Sequence, residues 1–257
     1  MTALRNVGAI VQKEWRHYFG SPIAYITLFV GLALFGLFYT IALQVFVAAS
    51  ANPMGGGRLS LNDWVVGATL QSMAVVTLFV VPLLTMRLFA EEKRQGTIEL
   101  LATAPLTSLQ IILGKFFGAL GLYALMLLLG LVNVLPLWFV ASSPPEWRPV
   151  ATSLLALLLL GGTLIAVGGF LSSLTRNQIV AGALTFGVAL AFWILSWLDD
   201  PTAGTATKVL AYLGLLGHTE DLMKGVIDLK HLVYYLTFTV FGLFLTHQSL
   251  EAQRWRA

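Results

Sequence analysis

A helix needs roughly 20 apolar residues to cross about 30 Å of hydrocarbon. Six runs in this chain meet that need: residues 22–47, 64–86, 116–140, 150–174, 178–198 and 232–246. No Asp, Glu, Lys, Arg or His falls inside them. The sixth is short and relies on 228–231 or 247–250 to extend it into the headgroups. Soluble domains carry about 25% charged residues, whereas 11% of these 257 are charged and 58% are hydrophobic. The pattern specifies an all-α integral membrane protein with six transmembrane helices. No repeat and no long polar linker divides the chain, so residues 1–257 read as one domain. The first run ends in "VAASA" at 47–51, which has the small residues of a signal-cleavage site. A signal core is only about 7–15 residues long, so this run reads as an uncleaved anchor.

Orientation follows from the basic residues. With both termini inside, ten of the fifteen fall in inner segments: Arg5, Lys13, Arg16, Arg87, Lys93, Arg94, Lys115, Arg176, Arg254 and Arg256. Arg58, Arg148, Lys208, Lys224 and Lys230 are left outside. A Lys/Arg excess marks the cytoplasmic side, so the N- and C-termini are expected in the cytoplasm. Trp15, Trp64, Trp138, Trp147, Trp197 and Trp255 fall near the ends of runs, as an aromatic belt would place them. The Pro- and Gly-rich segments "ANPMGGGRLSLND" and "ASSPPEWRP" are connecting loops by their turn chemistry.

Three segments do not span. Residues 1–21 hold Leu4, Val7, Val11, Trp15, Tyr18 and Phe19 at three-to-four spacing, with Arg5, Lys13 and Arg16 off that stripe. This predicts an amphipathic helix lying on the inner membrane surface. Ser21-Pro22 then opens the first span, because Pro suits a helix's first turn. The outer segment 199–229 is too apolar for a simple loop, yet "KVLAYLGLLG" at 208–217 is too short to cross. Two short helices, the second opening near Thr219, predict a hairpin that is either re-entrant or laid on the outer surface. Gly214, Gly217 and His218 are its candidate gate residues, the glycines as flexible points.

The third segment is "RLFAEEKRQGTIELLATAP" at 87–105, the most charged stretch of the chain. Its pattern still reads as helix, with Leu88, Ile98 and Leu101 against Glu91, Glu92, Lys93, Arg94 and Glu99. Gly96 marks a bend, since Gly costs about 1 kcal/mol in a helix interior. Pro105 ends the second piece. Thr107 and Gln110 fit a capping box that restarts the helix through Gly114 and Lys115 into the third span. Residues 87–115 thus form a helix–bend–helix elbow with a charged face.

Several chemistries are absent from the sequence. There is no cysteine, hence no disulfide, thiolate metal site or cysteine nucleophile. There is no GxxxxGK[ST] and so no phosphate cradle for ATP. The spans hold no ionisable residue to relay protons or ions. His17, His218, His231 and His247 are scattered without an HExxH pattern. His218 near Glu220 and Asp221 reads as a polar cluster at a helix start rather than a metal site. Gln44, Gln71 and Asn133 are the polar residues inside spans, and they either line a pathway or bond across helices. The small-residue stretches "GKFFG" at 114–118 and "GGTLIAVGG" at 161–169 permit close helix packing.

The stretch "EKRQGTIELLATAPLTSLQIILGKFFGAL" resembles the region after the second span of ABC-2-type permeases, the membrane subunits of ATP-binding-cassette transporters. "KEWRHYFGSPIAYI" and "KGVIDLKHLVYYLTFTVFGLFLT" resemble the two ends of permeases linked to gliding motility and nitrous-oxide-reductase maturation. The resemblance implies that the elbow is a coupling helix seated in an ATPase subunit, through Glu91, Glu92, Lys93, Arg94, Gly96, Thr97 and Glu99. It implies a connecting helix at the N-terminus and re-entrant helices before the sixth span. It also implies a permease dimer in the bacterial inner membrane, with ATP and Mg held by the partner ATPase and no cofactor in this chain. An accessory periplasmic protein and membrane lipids are further partners on this reading, and nucleic acid is not. The alternative is a membrane anchor or assembly scaffold that binds a cytoplasmic partner through the elbow without transporting.

Overall fold

The computed structural model describes residues 2–51, 60–97, 106–141, 144–198 and 204–254. The second half of the elbow with Glu99, the loop around Arg58, the start of the 199–229 segment, and Trp255 and Arg256 lie outside them. Six helical stretches are long and apolar enough to cross a membrane: Pro22–Ser50, Asn62–Gln95, Ser108–Val140, Trp147–Leu174, Gln178–Leu198 and Leu229–Ala252. The described residues contain no strand.

Caps set where the spans begin. Helix α1 (Thr2–Phe19) ends before Ser21, whose hydroxyl accepts from the Ile23 amide at 3.3 Å to open α2 (Pro22–Ser50) with Pro22 in its first turn. A π-helical turn at Asn62–Gly67 leads into α3 (Ala68–Thr85), and α4 (Ala90–Gln95) follows a tight turn. The capping box forms as the sequence predicts. Thr107 Oγ1 accepts from the Gln110 amide at 3.3 Å, Gln110 Oε1 accepts from the Thr107 amide at 3.4 Å, and α5 runs Ser108–Leu131. Pro136 breaks this span and restarts it as α6 (Pro136–Val140), because proline has no amide proton and crowds the preceding turn. After α7 (Trp147–Leu174), Asn177 Oδ1 accepts from the Ile179 amide at 2.9 Å and opens α8 (Gln178–Leu195). Two short helices, α9 (Thr205–Tyr212) and α10 (Thr219–Met223), precede α11 (Leu229–Arg254).

Helices α3, α5 and α7 form the packed centre, and α11 lies along α7. Tyr123, Leu70, Met73, Leu78, Met126 and Leu157 are fully buried there. Glycine lets the helices approach: Gly161 sits against the Tyr123 ring, and a Cβ on Gly242 would lie 2.9 Å from the Ala166 carbonyl carbon. Hydroxyls in this centre pair with one another and with helix carbonyls, as hydrocarbon favours. Tyr123 Oη lies 2.8 Å from Thr77 Oγ1 and donates to the Leu157 carbonyl at 3.2 Å.

Helix α1 is an amphipathic helix as expected, but its contact face differs from the expected stripe. Leu4 is exposed, and the buried line is Ile10, Glu14 and Tyr18, flanked by the half-buried Val11 and Trp15. The reason lies in α5, which presents Gly114, Gly118 and Gly121 along one face. A Cβ there would come within 2.5 Å of Ile10, 3.0 Å of Glu14 and 2.9 Å of Trp15, respectively. The small-residue seam, rather than the apolar stripe alone, decides how α1 is rotated.

Gly114→Val should therefore lever α1 off the bundle, at a cost of about 1–3 kcal/mol for overpacking. Gly8, with nothing near its Cβ position, is the control: Gly8→Ala should hold or raise the melting temperature, since Ala gains up to about 1 kcal/mol in a helix. Thermal unfolding of both variants in detergent checks this.

Candidate functional site: the charged elbow

Four elements meet at the elbow end of the bundle. The turn after α3 and helix α4 carry Arg87, Glu91, Glu92 and Lys93; α1 carries Lys13, Glu14 and His17; α5 carries Lys115. Lys115 is only 3% exposed, and its Nζ lies 3.0 Å from Glu14 Oε1 and 3.0 Å from Glu92 Oε1. Lys13 reaches Glu92 Oε1 at 3.1 Å from the exposed side. Arg87 grips Glu91 with two bonds, Nε to Oε2 at 2.6 Å and Nη2 to Oε1 at 2.7 Å, and also donates to Ser21 Oγ at 3.3 Å. Such bidentate pairing fixes geometry as well as charge.

Helix α4 is tied to α7 as well. Ser172 Oγ accepts from the Phe89 and Ala90 amides, both at 3.1 Å, and so caps α4 from another helix. Lys93 Nζ donates to the Ser173 carbonyl. At the other end, Gly96 adopts φ 72° and closes α4 in the left-handed conformation, so the expected bend is present. The Thr97 amide then returns to the Glu92 carbonyl at 3.0 Å.

The sequence reading gave this stretch a charged face turned outward. The structure corrects that for most of it. Glu91 is buried, Glu92 and Lys93 are half-buried, and all three spend their charge on this chain; Arg94, Gln95 and Gly96 are the exposed part. The cause is stoichiometry: Lys115 and Arg87 are inside and need counter-charges, and α4 supplies them. A cavity of about 460 Å³ lies between α1 and α4, lined among others by Tyr18, Glu92 and Lys115. Burial and the nearby Glu14 hold the Tyr18 phenol well above its ordinary pKa, so it stays protonated.

The other candidate residues lie elsewhere. Gln44 on α2 and Gln71 on α3 are exposed on outward faces, and Asn133 donates to its own helix at the Gly130 carbonyl, 3.1 Å away. Among the described residues no bond joins the three. At the far end of the bundle His218 is buried between α9 and α10, bonded to His231 of α11. Gly214 is a packing position rather than a flexible one, because a Cβ there would lie 2.5 Å from Ser196 Oγ. Gly217 is exposed with open space around it and has no positive φ. Positive φ in this hairpin falls at Gly225, φ 88°, just after α10.

Glu14, Lys115, Ser172 and His231 are the residues that sequence reasoning did not single out as partners. Glu14 had a usable signal, since it falls on the Ile10–Tyr18 line at four-residue spacing. Ser172 had none, because a serine that caps a distant helix looks like any serine in a span.

Lys115→Met should cost about 3–5 kcal/mol, because it leaves two carboxylates facing each other without a cation. The triple variant Lys115→Met, Glu14→Met, Glu92→Met should recover most of that loss, since removing a whole buried charge set is often neutral. Melting temperatures of the two variants decide between a charge network and mere bulk.

The model of the ABC-2 family transporter proteins matches residues 8–205, from α1 through the elbow and five of the six spans. No curated protein matches the sequence. With well over half of its length matched, and with six membrane-crossing helices, the chain belongs to the ABC-2 transporter family as a multi-pass membrane protein.

Proposed function

We propose that the chain is the permease subunit of an ATP-driven exporter, in which two permeases line the pathway between them and each receives a separate ATPase subunit at α4. Both termini and the elbow then lie in the cytoplasm, and the membrane is the bacterial inner membrane, in keeping with the Lys/Arg distribution. The observation that carries the reading is how α4 is anchored. Its inner side is fixed to α5 by Glu92–Lys115, to α7 by Ser172 and to α1 by Glu92–Lys13, while Arg94 to Gly96 stay exposed. A short helix bonded to three others and open on one side can receive a push and pass it on without bending.

Two further observations favour this arrangement. The sequence has no phosphate-binding loop, so the energy must come from a partner. The centre of the protomer is filled by Tyr123, Leu70, Met73 and Leu157, while Gln44 and Gln71 face outward. A pathway through one protomer has no room, so the polar span residues are better placed to line one between two copies.

Arg94 tests the docking because it contributes little to the fold. Arg94→Glu should leave the melting temperature unchanged and lower co-purification of the co-expressed ATPase about fivefold, on the ~1 kcal/mol scale of one exposed charge pair. Reversing Glu91 and Glu92 is a poorer probe, since it breaks the bonds to Arg87 and Lys115. Undiminished co-purification with Arg94→Glu, or a detergent-solubilised complex whose mass fits one permease, would count against the proposal.

A further inference from the structure

At the end of the bundle opposite the elbow, two imidazoles meet. His218 lies just before α10 and His231 in the first turn of α11, at 6% and 5% exposure. Their Nδ1 atoms are 2.7 Å apart. His218 Nε2 is 2.8 Å from the Tyr212 carbonyl oxygen, and His231 Nε2 is 3.0 Å from Asp221 Oδ2. A carbonyl and a carboxylate can only accept, so both Nε2 atoms carry hydrogen. Neutral rings in those tautomers would point two Nδ1 lone pairs at each other. One cation between the nitrogens removes that conflict, and 2.7 Å is hydrogen-bond length for a single proton. A metal ion with bonds of about 2.0–2.1 Å to each nitrogen would hold them roughly 2.9 Å apart at a right angle and 3.4 Å at a tetrahedral one. Among the described residues, no group of three or more His, Cys, Asp or Glu gathers to complete a metal shell. The Asp221 carboxylate lies beside His231, and the neutral Tyr212 carbonyl beside His218.

We propose that His218 and His231 form a one-proton site that latches the hairpin to the start of α11. The rest of the contact supports such a latch. Tyr234 stacks on His218 at 3.9 Å and donates to the Leu213 carbonyl at 2.7 Å, and Tyr235 donates to the Leu215 carbonyl at 2.6 Å. The charged groups bearing on the pair are Asp221, Lys230, which is 4.0 Å from Asp221, and Asp228, which is 3.0 Å from Lys230. Glu220 and Lys224 pair with each other on the exposed side of α10 at 4.0 Å. Tyr212, Tyr234 and Tyr235 border the pair as uncharged rings. From α7, Ser153 reaches the Met223 carbonyl and Pro149 packs on Gly225, and neither is charged.

The latch fails in both directions. A second proton puts N–H against N–H and two cations side by side. Loss of the shared proton restores the two facing lone pairs. The acid side has a defined sign. Burial holds the His218 pKa below its ordinary 6.5, so its neutral form is favoured when docked. That contribution is fully present above pH 6.5 and is lost as pH falls through the depressed value.

The test needs no ATPase and does not depend on the transport reading, so the two can fail separately. The chain has no cysteine, so single thiols can be placed at Leu215, on the buried side of the hairpin, and at Glu220, on its exposed side. The ratio of labelling rates, Leu215→Cys over Glu220→Cys, is followed in detergent from about pH 8 down to about pH 5, the range in which histidine titrates. The ratio should stay low near neutrality and climb in acid by up to about tenfold per pH unit, the limit for one proton. His218→Gln keeps a donor for the Tyr212 carbonyl and an acceptor for His231 without a titrating ring. His231→Asn keeps a reversible amide towards His218. Both variants should stay docked; His218→Gln should lose the acid climb, and His231→Asn, which leaves His218 buried, should keep a smaller one. A chelator should change nothing at neutral pH. A flat ratio in the parent, an acid climb surviving in His218→Gln, or a hairpin opened by the chelator would each overturn the proposal, the last in favour of a metal ion.

Discussion

Lys115 is the group on which the elbow depends. An ammonium 3% exposed in a helix that enters the membrane is costly unless it is paired, and two carboxylates from different elements meet it at 3.0 Å. One comes from α1 and one from α4, so a single cation joins the first helix, the elbow and the third span. The seam of Gly114, Gly118 and Gly121 makes this possible, because only a helix that sits this close to α5 can bring Glu14 to Lys115. Packing and charge are therefore one feature here: filling the seam would separate the ion pair, and removing the ion pair would leave the seam to packing and to the neutral Asn6–Gln110 and Trp15–Gly118 bonds.

From that joint, contacts run on into the rest of the bundle. Ser172 and Ser173 at the end of α7 take the amides of α4 and the amine of Lys93, and Ser173 bonds Ser249 of α11 at 2.9 Å. Helix α7 is 28 residues long, about 42 Å at 1.5 Å per residue. Its other end holds the hairpin through Ser153 and Pro149. A rigid element touching both ends is the physical requirement for one end to affect the other.

The spans and their starts were legible in the sequence because the signals are local. Apolar length, Ser21-Pro22, the Thr107–Gln110 box and the Gly96 bend each act within a few residues of themselves. The partners of the charges were not legible, since Glu14 and Lys115 are 101 residues apart and meet only once α1 is seated on α5. The same limit explains the elbow's face: a run of Glu and Lys looks solvated until a buried cation claims the carboxylates. It also explains the hairpin glycines. Gly214 was read for its freedom but is used for close approach to Ser196, whereas Gly225, unremarked in the sequence, takes the positive φ.

The two ends of the bundle solve the same problem, holding polar groups out of water, with chemistries of different strength. At the elbow, Arg87, Lys115, Glu14, Glu91 and Glu92 are full charges in close pairs, which are expensive to separate because each would be left buried and alone. Such a joint suits a part that must receive force without yielding. At the hairpin, a proton shared between two rings, on the order of 1.5–3 kcal/mol for a charge-assisted bond, and two tyrosine–carbonyl bonds of about 1 kcal/mol each hold the contact. Leu215, Leu222 and Met223 are buried and reinforce the contact on the α10 side, whereas most of α9 is exposed. Of two joints in one bundle, the one held by weaker bonds is the one that opens at the lower cost. The firmly paired α4 and the lightly held α9 thus lie at opposite ends of the bundle, joined by α7.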